Sequence, residues 1–129
     1  MVKNEIIKEW FTRGENDICD AWFLFENNRS LENVSFHVHQ AVEKYLKGFL
    51  IYHGWKLEKI HDIVKLLKEA IKFDDSFKEY LEFARFVTDF YFESRYPVGC
   101  DFAYTKEEMQ EMIERSNKLI ALIKEKVPV

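Results

Sequence analysis

The sequence predicts an all-α protein, a single domain over residues 1–129 folded as an antiparallel up-down bundle of four to five helices. The chain has only four glycines and two prolines, too few for a turn-rich β-sandwich, and its 47% of hydrophobic residues can supply a core. Apolar side chains recur every three or four residues in five segments, and no segment alternates as a strand would. Short connections between these segments favour antiparallel neighbours.

The first two segments are predicted as helices over about residues 4–25 and 31–53. A turn-forming sequence, Asn-Asn-Arg-Ser at residues 27–30, separates them. The second segment has a wide apolar face and is followed by Gly54, a residue type that readily takes the left-handed conformation found after helix C-termini. The first segment has an apolar stripe made of Ile7, Phe11, Ile18, Trp22 and Phe25.

The third and fourth segments are recognised by signals near their N-termini. The third is predicted over about residues 61–72, where Asp62 suits the positive end of the helix dipole. The fourth is predicted over about residues 76–93, because Ser76 and Glu79 have the spacing of a capping box.

The fifth segment is predicted over residues 105–126 and carries a cleaner capping box, Thr105 with Glu108. Lys124 and Lys126 lie where the negative end of its dipole favours cations. Both ends of this helix are therefore specified by local sequence.

The fourth segment is apolar on more sides than one packing contact requires. Phe83, Phe86 and Phe90 form a second face beside the one expected to meet the core. Since apolar patches on small domains commonly mark interfaces, this face is predicted to lie in a homodimer. The alternative is that the fifth helix or a neighbouring loop covers it.

The loop after the fourth segment places Arg95 beside Tyr96. A guanidinium can hold a phosphate or carboxylate through two parallel hydrogen bonds, and a tyrosine ring can stack on a base. The alternative is an ion pair between Arg95 and a nearby acid such as Glu93 or Asp101.

Composition excludes several classes of protein. The net charge of −4 argues against a broadly basic nucleic-acid binder, so no DNA partner is expected. No apolar run approaches the ~20 residues of a membrane span, the N-terminus lacks the apolar core of a signal peptide, and the location expected is cytoplasmic. The two cysteines, Cys19 and Cys100, form no disulfide framework and are expected to pack as small hydrophobic residues.

The polar residues of the second segment allow two interpretations. His39 and Glu43 are four residues apart and could share a metal, but no third ligand has suitable spacing, so no metal and no cofactor are predicted. The favoured interpretation is a partly exposed polar stripe. Its members are His39, Gln40, Glu43, Lys44 and Lys47.

Charge is unevenly distributed along the chain. Residues 36–72 contain seven lysines and four acidic residues, a net charge of +3 in an otherwise acidic protein. This stretch could receive a phosphate or an acidic partner. The alternative is an ordinary solvated helix face.

Residues 36–48, FHVHQAVEKYLKG, resemble the second-helix signature of HEPN domains (higher eukaryotes and prokaryotes nucleotide-binding). Gly54, the His-Asp-Ile at residues 61–63 and the segment YFESRYP at residues 91–97 continue the resemblance. Together these motifs cover most of the chain. Two positions depart from the family pattern: His39 stands where Gln is usual, and Ile60 stands where Thr usually precedes the His.

The resemblance implies an antiparallel helical bundle, commonly dimeric, in a bacterial or archaeal protein. It implies nucleotide binding, and often a nucleotidyltransferase encoded alongside, as in toxin–antitoxin pairs. Some family members are metal-independent RNases that use an Arg followed, after four to six residues, by a His. This sequence has no such pair: Arg29 and His37 are separated by seven residues, and Arg95 has no His after it.

The first hypothesis is therefore a non-catalytic, dimeric binding module for a nucleotide or a nucleotidyltransferase, with no catalytic residues. The second is an RNase in which Arg95 stabilises the transition state and His37 or His61 is the acid or base. The third is a purely structural interaction protein. Under the first hypothesis the nucleotide contacts are Lys44, Lys47, His61, Arg95 and Tyr96.

Overall fold

The computed structural model describes residues 2–93 and 104–129, and this part of the chain is helical with no strand. The all-α prediction is confirmed. A short 3₁₀ helix, Asp75–Tyr80, leads directly into the fourth α-helix. The α-helices are α1 (Val2–Glu26), α2 (Leu31–Tyr52), α3 (Ile63–Phe73), α4 (Leu81–Glu93) and α5 (Lys106–Lys126).

Local sequence signals set most of the helix ends. Ser30 caps α2 by accepting from the Asn33 N–H, and Gly54 follows this helix with φ +88°. The Asp62 carboxylate accepts from two backbone N–H groups at the start of α3. The predicted capping box of Thr105 and Glu108 is confirmed at the start of α5.

The start of the fourth helix differs from the prediction. Ser76 and Glu79 do not form a capping box; instead the Asp74 side chain accepts from the Ser76 N–H and caps the 3₁₀ helix. α4 then begins only at Leu81. Residues 74–76, Asp-Asp-Ser, are all short polar residues that can cap a helix, and Asp74 takes this role.

α2 is the central helix, and it contacts α1, α3, α4 and α5. It packs most extensively against α1, where the absence of a side chain at Gly14 leaves room for the ring of Tyr45. A Cβ atom at residue 14 would lie 2.7 Å from Tyr45 Cδ2, so the glycine is needed for this close approach. A helix packed on so many sides has little surface left for solvent, and this burial shapes the site described below.

The second apolar face of α4 is largely covered within the chain, so the prediction for it needs correction. Phe83 and Phe90 have no exposed area, and Phe86 is half-buried. The Phe90 ring lies 3.9 Å, centroid to centroid, from the ring of Tyr104, and the Arg115 guanidinium of α5 covers Phe83. Phe83 and Phe90 therefore have no exposed surface that a second subunit could contact. Both are covered by α5 or by the residues just before it, which is the alternative given above.

Two further findings concern the surface. Cys19 is exposed, contrary to expectation, with its Sγ 3.4 Å from a Glu15 carboxylate oxygen. Among the described residues, no helix combines the length and apolar character needed to cross a membrane.

Candidate functional site

A groove runs between the N-terminal half of α1 and the middle of α2. Its volume is about 580 Å³, within the range of small-molecule sites. His61, in the connection before α3, closes one end. The lining residues are Val2, Glu5, Ile6, Glu9, Trp10, Arg13, Gln40, Glu43, Lys44, Lys47 and His61.

The polar stripe predicted to be partly exposed on α2 is instead mostly inside the protein. His39, Glu43 and Lys47 lie at positions i, i+4 and i+8 and are 6%, 3% and 4% exposed. Burying three ionisable side chains on one helix face costs free energy unless each is paired. The prediction was wrong for these three because α1, α4 and the connection before α3 all converge on the same face of α2.

Glu43 is the centre of this buried cluster. One carboxylate oxygen, Oε2, accepts hydrogen bonds from Lys47 Nζ at 2.9 Å and from His61 Nδ1 at 3.0 Å. The Lys47 ammonium also lies 5.5 Å from the centroid of the Trp10 ring, a cation–π distance. Because a carboxylate can only accept, His61 must donate through Nδ1, which leaves its Nε2 as an acceptor when the ring is neutral.

His39 lies on the other side of Glu43. Its ring stacks on Tyr91 with centroids 4.7 Å apart, and its Nδ1 lies 4.0 Å from Glu43 Oε1, too far for a hydrogen bond. Burial lowers the pKa of His39 below the usual value, so this imidazole is neutral at pH 7.

A second polar cluster joins α1 to α2. The Asp17 carboxylate accepts from Lys44 Nζ and lies 2.8 Å from His37 Nδ1. With Asp20, Asp17 and His37 form a group whose ligand atoms all lie within 4.8 Å of one another, the spacing of a metal site. The lysine and histidine already compensate the buried Asp17 carboxylate, so the cluster is explained as an interhelical ion-pair network.

A smaller cleft of about 300 Å³ adjoins the groove, between α2, the start of α3 and the C-terminal end of α4. Gln40, Glu43 and His61 line both cavities. The described residues that line the cleft are His39, Gln40, Glu43, His61, Asp62, Thr88, Tyr91 and Phe92.

Three of the five predicted nucleotide contacts come together in the groove: Lys44, Lys47 and His61. Neither lysine is an uncommitted cation, since Lys44 is paired with Asp17 and Lys47 with Glu43. His61 is the accessible member, with 74% of its side chain exposed. The other two predicted contacts, Arg95 and Tyr96, lie outside the described residues.

Trp10, Arg13 and Gln40 line the groove but were not among the predicted nucleotide contacts. Trp10 and Arg13 are three residues apart and so share a face of α1, a signal that could have grouped them. Nothing in the sequence indicated that this face lies opposite Lys44 and Lys47.

Comparison with known proteins identifies the family. The family model for the HEPN domain matches residues 7–126. Among solved structures, TT1696 from Thermus thermophilus superposes with a TM-score of 0.80 at 23% identity, covering 94% of this chain and 98% of that one. ST0689, described as an archaeal HEPN homologue, superposes with a TM-score of 0.72 at 22% identity over 93% and 96% of the two chains. No curated protein sequence matches. With most of its length covered by the family model, the chain belongs to the HEPN domain family.

Proposed function

We propose that this protein is a non-catalytic nucleotide-binding HEPN protein whose ligand occupies the groove between α1 and α2. The observation that carries the proposal is that Lys44, Lys47 and His61, chosen from sequence as nucleotide contacts, line a single groove together with Trp10 and Arg13. Basic, aromatic and hydrogen-bonding groups are the three kinds of side chain that nucleotide recognition uses.

The phosphate groups would lie near Arg13 and Lys44, at the rim. Arg13 is 64% exposed and pairs with Glu9 at 2.9 Å, on its own helix. Exposed pairs of this kind contribute little free energy, so a phosphate can replace the Glu9 carboxylate at small cost. Lys47 is buried and paired with Glu43, so it would hold the α2 side of the groove in place rather than contact the phosphate.

The base would lie near Trp10 and His61. The half-buried Trp10 ring offers an aromatic contact, and His61 Nε2 offers a hydrogen-bond acceptor. The Gln40 carboxamide, with both a donor and an acceptor, lies at the same end of the groove.

Isothermal titration calorimetry with AMP, ATP and GTP tests this proposal. At least one nucleotide should bind below millimolar concentration. Arg13→Ala should weaken binding by about ten- to a hundredfold, since a hydrogen bond between charged groups contributes ~1.5–3 kcal/mol and each ~1.4 kcal/mol is tenfold.

Arg85→Ala is the matched control, because Arg85 also forms an exposed ion pair at 2.9 Å, with Glu82 on α4, but does not line the groove. Its affinity should equal that of the unmodified protein. No binding by any nucleotide, or equal weakening by both substitutions, would contradict the proposal.

A metal-independent RNase is the second candidate, and one observation favours it. The buried Glu43 carboxylate orients the exposed His61, as a carboxylate does for the histidine of a general base. We expect no cleavage when the protein is incubated with mixed RNA and a metal chelator. Cleavage that disappears in His61→Ala would establish the RNase instead.

The family resemblance also supports a nucleotidyltransferase partner, as in a toxin–antitoxin pair. Val2 and Ile6, at the start of α1, are exposed apolar residues that line the groove. They offer a second protein an apolar surface at this edge of the groove. This role is compatible with nucleotide binding, since a nucleotidyltransferase handles the same ligand.

A further inference from the structure

The groove and the cleft lie next to each other. They share the side chains of Gln40, Glu43 and His61, and the exposed His61 ring stands between them. Among the side-chain contacts of the described residues, a single hydrogen bond to Glu43 positions this ring. A ligand longer than the groove could therefore continue past His61 into the cleft.

The two cavities differ in charge. The groove contains Arg13, Lys44 and Lys47, which balance its three glutamates, Glu5, Glu9 and Glu43. No lysine or arginine lines the described part of the cleft. One oxygen of the Asp62 carboxylate in the cleft, Oδ1, caps α3 by accepting from two backbone N–H groups. The described part of the cleft therefore suits a neutral group better than a phosphate.

The walls of the cleft favour a planar neutral group. Phe92 lines it with 58% of its surface exposed, beside Tyr91 and its stacked partner His39. Thr88 adds a hydroxyl, which donates to the Ala84 carbonyl and retains a lone pair that can accept. An aromatic ring and a hydrogen-bonding side chain are what a nucleobase needs.

We propose that the groove and the cleft together bind a dinucleotide, two nucleosides joined through phosphate. One nucleotide occupies the groove, with its phosphate near Arg13 and Lys44, and the second base lies in the cleft against Phe92. This inference rests on the proposed function and specifies its ligand. The linking phosphate passes His61, which lines both cavities.

Calorimetry with AMP and with the linear dinucleotide pApA tests the inference. The dinucleotide should bind at least about tenfold more tightly than AMP. Phe92→Ala should weaken dinucleotide binding by about five- to a hundredfold, the fold-change expected from losing one base–aromatic stack, and should leave AMP binding unchanged.

The matched control is Phe23→Ala, which removes a ring that is 65% exposed on α1 and lines neither cavity. It should change neither affinity. If pApA binds no more tightly than AMP while AMP binding still depends on Arg13, the dinucleotide inference is wrong and the proposed function stands.

If Phe92→Ala weakens AMP and pApA equally, one mononucleotide spans both cavities and the inference is again wrong. If neither compound nor any mononucleotide binds, the proposed function fails together with it.

Discussion

At the scale of single residues, the most consequential feature is the buried Glu43. Its Oε2 atom receives both the Lys47 ammonium and the His61 ring, so one carboxylate oxygen fixes two groove residues. The sequence grouped Lys44, Lys47 and His61 as nucleotide contacts, and the three line one groove, but their contact with a nucleotide stays a prediction. Sequence reasoning could not foresee that Lys47 is enclosed, because the enclosure depends on side chains distant in sequence, such as Trp10.

The Glu43–Lys47 pair makes a stability prediction. Lys47→Met keeps the volume of the side chain but leaves the buried Glu43 carboxylate without its cation, so the free energy of unfolding should fall by about 3–5 kcal/mol. Urea denaturation followed by circular dichroism measures this change.

Lys68→Met on the exposed side of α3 is the control and should change the free energy by less than ~0.5 kcal/mol. The double variant Glu43→Leu/Lys47→Met should recover much of the loss, because it removes both buried charges. A loss below about 1 kcal/mol for Lys47→Met alone would show that the ammonium does not compensate Glu43.

At the scale of helices, the ends could be predicted wherever a side chain caps a backbone group locally. Thr105 with Glu108, and Asp62, cap the helices predicted for them. The start of α4 differs from the prediction because Asp74, the residue directly after α3, accepts from the Ser76 N–H and caps a 3₁₀ helix there. Short polar side chains compete for the same N–H groups, and only the tertiary path of the chain decides between them.

Helix faces were harder to predict than helix ends. Apolar periodicity identified the core of α2, but the same helix also buries His39 and Glu43, which periodicity assigns to solvent. In α4 the error is of the opposite kind, since Phe83 and Phe90 were assigned to a subunit interface and are covered by α5 and Tyr104. Both errors arise because periodicity shows which faces are apolar, not which neighbours cover them.

At the scale of the whole molecule, the homodimer remains a prediction. Fewer residues of α4 now support it. Of the three phenylalanines first assigned to the interface, Phe86 alone keeps exposed area, and it lies at the edge of the aromatic group formed by Phe90 and Tyr104. An interface on this side of α4 would therefore be centred near Phe86. A dimer also suits the family resemblance.

Multi-angle light scattering at micromolar concentration should give twice the 15.6 kDa mass of the chain. Phe86→Glu should give the single-chain mass with an unchanged helical circular dichroism spectrum, because a carboxylate at an apolar interface loses its hydration. Phe23→Glu, which places the same charge on an exposed ring position of α1, should remain dimeric. A monomeric unmodified protein would refute the dimer outright, independently of how either variant folds. A dimer that persists in folded Phe86→Glu would place the interface elsewhere, away from α4.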